Sequence, residues 1–358
     1  MSRFLSKKLE SIVPYKVTLN SAWESTNEDV LKLDWNESAR MLYEELEVQY
    51  PDLNLNWYPK LLNRELLSAL ADYCGLSKES SIYYTASSDL VHENILKVFI
   101  NPGDKVLMLT PTYDNFRFSV EVYGGLVSKL DWKYVGNIQE ELLKNQFRIC
   151  YICSPNNPTG QYLFENSLRT LLVSNASTLF IIDEAYIEFS ESASMITLTR
   201  DFDNIIITRT LSKAFGLAGI RFGYCIAEST LIEDIWGYNN PKFVSMFTQS
   251  LALKALSDID RMTESVESIK LNRQLLADYL EKNGFQINCL MSGNFILFKD
   301  TCESLLENNL NALVSQGIFL RSLNHINGLE RNFRITVPAF NDIDNLIKRL
   351  ISYDFLII

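Results

Sequence analysis

Short apolar runs alternate with amphipathic stretches through the middle of this 358-residue chain. KVLMLTP (105–111), FRICYIC (147–153), TLFIIDEA (178–185), NIIITRT (204–210) and RFGYCIA (221–227) are near-continuous in bulky apolar residues. Such runs predict strands covered on both sides rather than strands with one wet face. Between them, DLVHENILKVFI (89–100), FENSLRTLLVSN (164–175) and the stretch after Glu228 have helical spacing. Strands alternating with helices predict an α/β fold, a mainly parallel sheet sandwiched by helices. Asn101-Pro102-Gly103-Asp104 marks a turn between helix and strand.

The pattern changes near Pro241. A long helical region, about 243–284, leads into a smaller α+β portion with strands expected at NFILF (294–298) and NFRITVP (332–338). The first 40 or so residues lack the alternation and are expected to pack with this portion. The division expected is a large domain over 45–244 and a small α+β domain built from 1–44 and 245–358. No internal repeat or low-complexity linker interrupts it.

Composition narrows the function classes. Hydrophobic content of 47% and charged content of 22% describe an ordinary soluble globular chain. Its 33 Lys and Arg against 44 Asp and Glu leave a net charge of −11, and no basic tract offsets it, which argues against a nucleic-acid partner. No apolar run approaches the length of about 18 residues that spans a bilayer. MSRFLSKKLESIVPYK at the start lacks the apolar core of a signal peptide. Six cysteines suit a reducing cytoplasm better than a disulfide scaffold. Cys150 and Cys153 have CxxC spacing, but on a strand they point to opposite faces and read as core residues. His92 and His325 are the only histidines, which argues against a His-rich metal site and a Ser-His-Asp triad.

Candidate chemistry centres on TRTLSKAFGLAGIRFGY (208–224), where Lys213 follows a hydroxyl-rich strand end and Arg221 stands eight residues later. A lysine that forms a Schiff base needs a partly desolvated amine, because burial lowers its pKa. A phosphorylated cofactor beside it needs hydroxyls and a fork-shaped cation, which Thr210, Ser212 and Arg221 could supply. Taken alone, the segment also has a bland reading, a surface lysine after a buried strand. Asp183 ends an apolar strand at the edge where parallel sheets bind ligands, yet alone it also reads as a helix cap. SPNNPTG (154–160) alone is a Pro/Asn/Gly turn. The three occur in order, with Asn157 26 residues before Asp183 and Asp183 30 before Lys213.

Together these motifs resemble the pyridoxal-phosphate (PLP) enzymes of fold type I, and within that group the chain is most similar to histidinol-phosphate aminotransferases. The resemblance runs from Tyr15 to Arg334. It implies that Lys213 carries the cofactor covalently and then acts as a base. It also implies that Asp183 keeps the ring nitrogen protonated, and that Asn157 and Tyr186 hold the phenolic oxygen. Tyr113 in TPTYDNF would cover the ring. Ser87, Ser88 and Asp89, opening DLVHENIL, would hold the phosphate with Thr210, Ser212 and Arg221. The family usually has glycine at the position of Ser87; if the backbone there needs positive φ, serine is strained. Tyr58 in NWYPK would cross a homodimer interface to the neighbour's cofactor phosphate. Arg334 in FRITVP would bind the substrate carboxylate and Arg321 in IFLRSL a distal anion. Asn294 in SGNFILF and Tyr15 in VPYK would line the substrate cleft.

Departures lie toward the substrate. LDWNES (33–38) stands where the family reads like LNANENP, Leu90 replaces an acidic residue, and Tyr113 is followed by Asp114-Asn115-Phe116-Arg117. The expectation is a cytoplasmic, homodimeric aminotransferase using glutamate and a small phosphorylated ketone. That ketone is either imidazole-acetol phosphate, paired with histidinol phosphate, or dihydroxyacetone phosphate, paired with serinol phosphate. The alternatives are a decarboxylase of serine or threonine phosphate and, disfavoured by the acidic charge and the lack of room for a DNA-binding domain, a PLP-binding regulator.

Overall fold

Three sheets organise the computed structural model, which describes residues 9, 11–13, 22, 25–27, 30–38, 42, 43, 56–77, 79–301 and 307–352. In chain order the strands are β1 Leu31–Lys32, β2 Ile82–Thr85, β3 Lys105–Thr110, β4 Leu126–Asp131, β5 Ile149–Cys153, β6 Leu179–Asp183, β7 Ile205–Thr210 and β8 Gly223–Ala227. Then come β9 Phe285–Ile287, β10 Phe295–Asp300, β11 Ile318–Phe319, β12 Arg321–Ser322 and β13 Asn332–Thr336. The helices are α1 Arg64–Tyr73, α2 Ser88–Phe99, α3 Asn115–Val122, α4 Ile138–Lys144, α5 Glu165–Ser174, α6 Ser229–Tyr238, α7 Met246–Leu256, α8 Ile259–Lys282, α9 Glu307–Ser315 and α10 Asp342–Ser352.

The large sheet has the order β2-β8-β7-β6-β5-β3-β4. Its pairs from β4 through β3, β5 and β6 to β7 are parallel. Burial on both faces explains the apolar runs: every residue of β5, β7 and β8 is buried. One face packs on Leu66 of α1 and Leu168 of α5, the other on Val91 of α2, Phe116 of α3 and Ile232 of α6. Cys150 belongs to the first face and Cys153 to the second, as strand alternation requires.

The edges differ from the sequence expectation. The run 221–227 pairs only from Gly223, because Arg221 takes a left-handed backbone (φ 54°). β8 is antiparallel to β7, since 211–222 holds only a short 3-10 turn, Ala218–Ile220, and no crossover helix. β2 and β4 have no apolar run of their own: β2 is four residues long, and β4 is an edge strand without a fully buried residue. The helical region near 243–284 is two helices, divided where the Asp258 side chain accepts from Arg261 N at the start of α8.

The smaller sheet, β12-β13-β10-β9, is antiparallel. Residues 31–33 are stitched beside it: β1 pairs with β11, Leu33 N donates to Phe319 O (3.1 Å), and Thr336 N donates to Leu33 O (2.9 Å). The sheets meet where Leu290 N donates to Thr159 O (2.9 Å) and Arg273 Nη1 to Gly293 O (2.6 Å) and Phe189 O (3.2 Å). No helix among the described residues is long and apolar enough to cross a membrane.

The start of α2 shows the strain that the sequence raised. Ser87 adopts φ 89°, ψ 156°, a region that is essentially glycine-only, while its Oγ caps Leu90 N (3.3 Å). Gly223 lies directly behind: a Cβ there would stand 2.2 Å from Ser88 N. Denaturant melts of three variants check this packing. Ser87→Gly should stabilise by about 1 kcal/mol, because relieved strain of roughly 1–3 kcal/mol exceeds the few tenths lost from the cap. Gly223→Ala should destabilise by about 1–3 kcal/mol or more. Gly237→Ala in α6, with nothing within 4 Å of its added Cβ, should be neutral or stabilising.

Candidate active site

The carboxyl ends of β5, β6 and β7 deliver three of the motifs to one edge, and the small sheet faces them with Arg334 and Asn294. Lys213 comes three residues after β7 ends at Thr210. Its turn is held by Thr210, whose Oγ1 lies 2.9 Å from Ser212 Oγ and 3.0 Å from Phe222 O and accepts from Ser212 N (3.0 Å). Lys213 Nζ donates to Trp35 O (2.9 Å) and lies 5.9 Å from the centre of the Tyr186 ring. Burial, then the nearby Arg334 charge, push its pKa down to about 8. This is the desolvated amine that the motif requires.

Asp183 ends β6 and is buried. Its Oδ2 accepts from Tyr151 Oη (2.9 Å) and its Oδ1 from Ala185 N (3.2 Å). The helix-cap reading does not hold, because the next element is a three-residue 3-10 turn, Ile187–Phe189, with Tyr186 at its cap position. Tyr186 Oη accepts from two amides, Asn36 Nδ2 (3.1 Å) and Asn157 Nδ2 (3.3 Å). Burial holds its phenol well above the usual value, although Arg334 pulls the other way.

Arg334 lies on β13, buried at 8% exposure. Nη1 donates to Asn157 Oδ1 (2.6 Å) and Nη2 to Asp34 O (2.5 Å), both neutral acceptors. Burial lowers its pKa to about 10, which leaves it charged at neutral pH. Arg334 and Arg321 are direct partners in the antiparallel β12–β13 pair, so the two cations share one face of the sheet. Asn294 Nδ2 donates to Asn36 O (3.1 Å). Among the described residues, Arg334 Nε and Asn294 Oδ1 are buried without a hydrogen-bond partner, one a donor and the other an acceptor.

Around the start of α2, Asp89 Oδ1 accepts from Tyr113 Oη (3.0 Å) and Asn115 Nδ2 (3.1 Å). Arg221 Nη2 is 3.8 Å from Asp89 Oδ2, and its Nη1 donates to Ala218 O (3.0 Å). The first-turn N–H groups of Ser88 and Asp89 have no intrahelical acceptor by position. Ser87, Ser88, Asp89, Tyr113 and Arg221 therefore converge. Tyr58 stands apart: it is 78% exposed, with Lys242 Nζ 4.5 Å from its ring centre. Tyr15 lies outside the described residues.

Sequence reasoning missed three contributors. Asn36 sits inside LDWNES, which the sequence marks only as a departure. Tyr151 is embedded in the apolar run ICYIC, where the usable signal is a hydroxyl that burial obliges to find a partner. His92 is buried with Nε2 3.0 Å from Thr208 Oγ1 and 3.9 Å from Asp183 Oδ2, and nothing local in α2 announces that contact.

The profile for aminotransferase class I and II matches residues 36–350. The chain is 32% identical to the dihydroxyacetone phosphate transaminase of Campylobacter jejuni, over 96% of each chain. It is 30% identical to the histidinol-phosphate aminotransferase of Buchnera aphidicola from Schizaphis graminum, over 99% of each. Its fold is shared with the histidinol-phosphate aminotransferase of Sinorhizobium meliloti in complex with pyridoxal-5'-phosphate (TM-score 0.86, 22% identity, 98% of each chain). The low-pKa lysine, the buried carboxylate and the open donors at the start of α2 suit that cofactor. With the profile covering nearly its whole length, the chain belongs to the class I and II aminotransferase family and is a PLP-dependent enzyme of fold type I.

Proposed function

We propose that this enzyme moves an amino group between glutamate and a small phosphorylated ketone, at a site between a large unit, 45–244, and a small one, 1–44 with 245–358. The observation that carries this reading is the Arg321–Arg334 pair. Two like charges opposite each other on adjacent strands repel, and among the described residues no carboxylate bonds to Arg334. Glutamate would bring one carboxylate to each arginine, and the single doubly charged phosphate of the ketone would take the place of one of them.

Of the candidate ketones, dihydroxyacetone phosphate, giving serinol phosphate, is favoured over imidazole-acetol phosphate. The name of the Campylobacter relative supports it, as does Trp35, a bulky residue on the segment whose carbonyl takes Lys213.

PLP supplies an electron sink when bound. The protein supplies the rest. Lys213 Nζ, with a pKa of about 8, can take and release a proton near neutral pH and is the base that carries the proton in the transfer. The Asp183 carboxylate would face the ring nitrogen; Asn157 and Tyr186 would hold the ring oxygen, and Tyr113 would cover the ring. Ser87, Ser88, Asp89, Thr210, Ser212 and Arg221 would gather the cofactor phosphate at the start of α2. Asn294 and Tyr15 would line the substrate side. The exposed Tyr58 suits a homodimer in which it reaches the second copy's phosphate, and free thiols at the five described cysteines suit a cytoplasmic enzyme.

Lys213→Ala should abolish turnover without changing the melting profile by more than about 1 kcal/mol. Borohydride treatment of the wild-type enzyme should leave cofactor on a peptide containing Lys213; label on another lysine would overturn its assignment. In a panel read by cofactor absorbance after glutamate treatment, phosphorylated ketones should react about a hundredfold faster than their dephosphorylated analogues. Arg321→Ala should flatten that difference. Equal rates in the wild type would remove the distal-anion reading, and release of carbon dioxide from phosphoserine without an oxo-acid would establish a decarboxylase.

A further inference from the structure

We propose that Tyr151 is a positioning residue for the cofactor, its hydroxyl fixing the Asp183 carboxylate in the orientation that the ring nitrogen requires. The proposal rests on the reading of Asp183 as the group facing that nitrogen, and is independent of which ketone is the substrate.

Strand register places Tyr151 beside the site. In the parallel β5–β6 pair, Cys153 stands opposite Asp183 and Tyr151 opposite Ile181. Tyr151 thus lies two residues behind the site and on the same side as Cys153, where a long side chain reaches forward along the strand. Its ring is fully buried, stacked on Phe116 (centroids 3.9 Å, planes 12° apart) and edge-on to His92 (5.6 Å). That packing leaves the hydroxyl one position, 2.9 Å from Asp183 Oδ2.

The carboxylate is held at both oxygens, by Tyr151 Oη on Oδ2 and Ala185 N on Oδ1. His92 Nε2, also close by, is nearer Thr208 Oγ1 (3.0 Å) than Asp183 Oδ2 (3.9 Å). Burial first, and the Asp183 charge second, hold the Tyr151 phenol far above its ordinary pKa, so the hydroxyl stays a donor. Each carboxylate oxygen keeps a further lone pair for a ring N–H. A core tyrosine whose hydroxyl is merely satisfied would share the packing but not the consequence for the cofactor.

Tyr151→Phe keeps the stack with Phe116 and removes only Oη. Its dissociation constant should be measured for PLP and for an analogue in which carbon replaces the ring nitrogen. Affinity for PLP should fall about tenfold or more, the scale of a hydrogen bond to a charged group, while affinity for the analogue stays within about twofold of wild type. Phe116→Leu, which loosens the stack but keeps the hydroxyl, should lower the melting temperature and leave the ratio between the two ligands unchanged. Equal losses for both ligands in Tyr151→Phe, no loss for either, or the same ratio change in Phe116→Leu would overturn the proposal. None of these measurements involves a substrate, so a wrong ketone assignment leaves the outcome untouched.

Discussion

The site depends on two neighbouring cations, Lys213 and the buried Arg334, each hydrogen-bonded to neutral oxygens rather than to a carboxylate. Lys213 and Arg334 are met by neutral oxygens, the carbonyls of Trp35 and Asp34 and the amide of Asn157. Taking a charge out of water is costly, and the two residues respond differently. The lysine moves its pKa to about 8 and can shed its proton; the arginine, at about 10, remains charged. One becomes a base near neutral pH and the other a standing demand for an anion. The same chain shows the contrasting case. Arg209, equally buried, donates through Nε and Nη2 to Glu184 Oε2 (3.1 and 2.9 Å) and lies 3.8 Å from Glu188, as a structural arginine should.

That Arg209–Glu184 pair matters to the site indirectly. Glu184 follows Asp183 and Arg209 precedes Thr210, so the pair ties the ends of β6 and β7 together just behind the cofactor residues. On the other side, residues 31–36 run beside the small sheet and present consecutive carbonyls from Asp34, Trp35 and Asn36 to Arg334, Lys213 and Asn294. A segment far away in sequence thus joins the two halves of the cleft.

Much of this was legible in the chain. The buried parallel strands announced themselves because burial on both faces leaves no room for polar alternation, and β3, β5, β6 and β7 formed where the apolar runs lie. The motifs around Asn157, Asp183 and Lys213 are local, and the sheet edge brings them together. Edge strands were not legible: β4 is half-exposed and β2 is short, so neither has a strong pattern. Asn36 and Tyr151 were missed for a different reason. Their roles come from pairings 150 and 32 residues away, with Tyr186 and Asp183, which no local pattern encodes. Ser87 lies between these cases: its motif pointed to a phosphate loop, and only the backbone shows that serine bears a glycine's conformation there.

The central claim, that burial and an unneutralised arginine set the basicity of Lys213, is tested most directly by titrating its Nζ. Nuclear magnetic resonance of cofactor-free protein, with the signal assigned by its loss in Lys213→Ala, gives the midpoint. The expected value is near 8 in the wild type, with a rise toward the ordinary 10.5 in Arg334→Met. A wild-type midpoint at the ordinary lysine value, or one that Arg334→Met leaves unmoved, would contradict it.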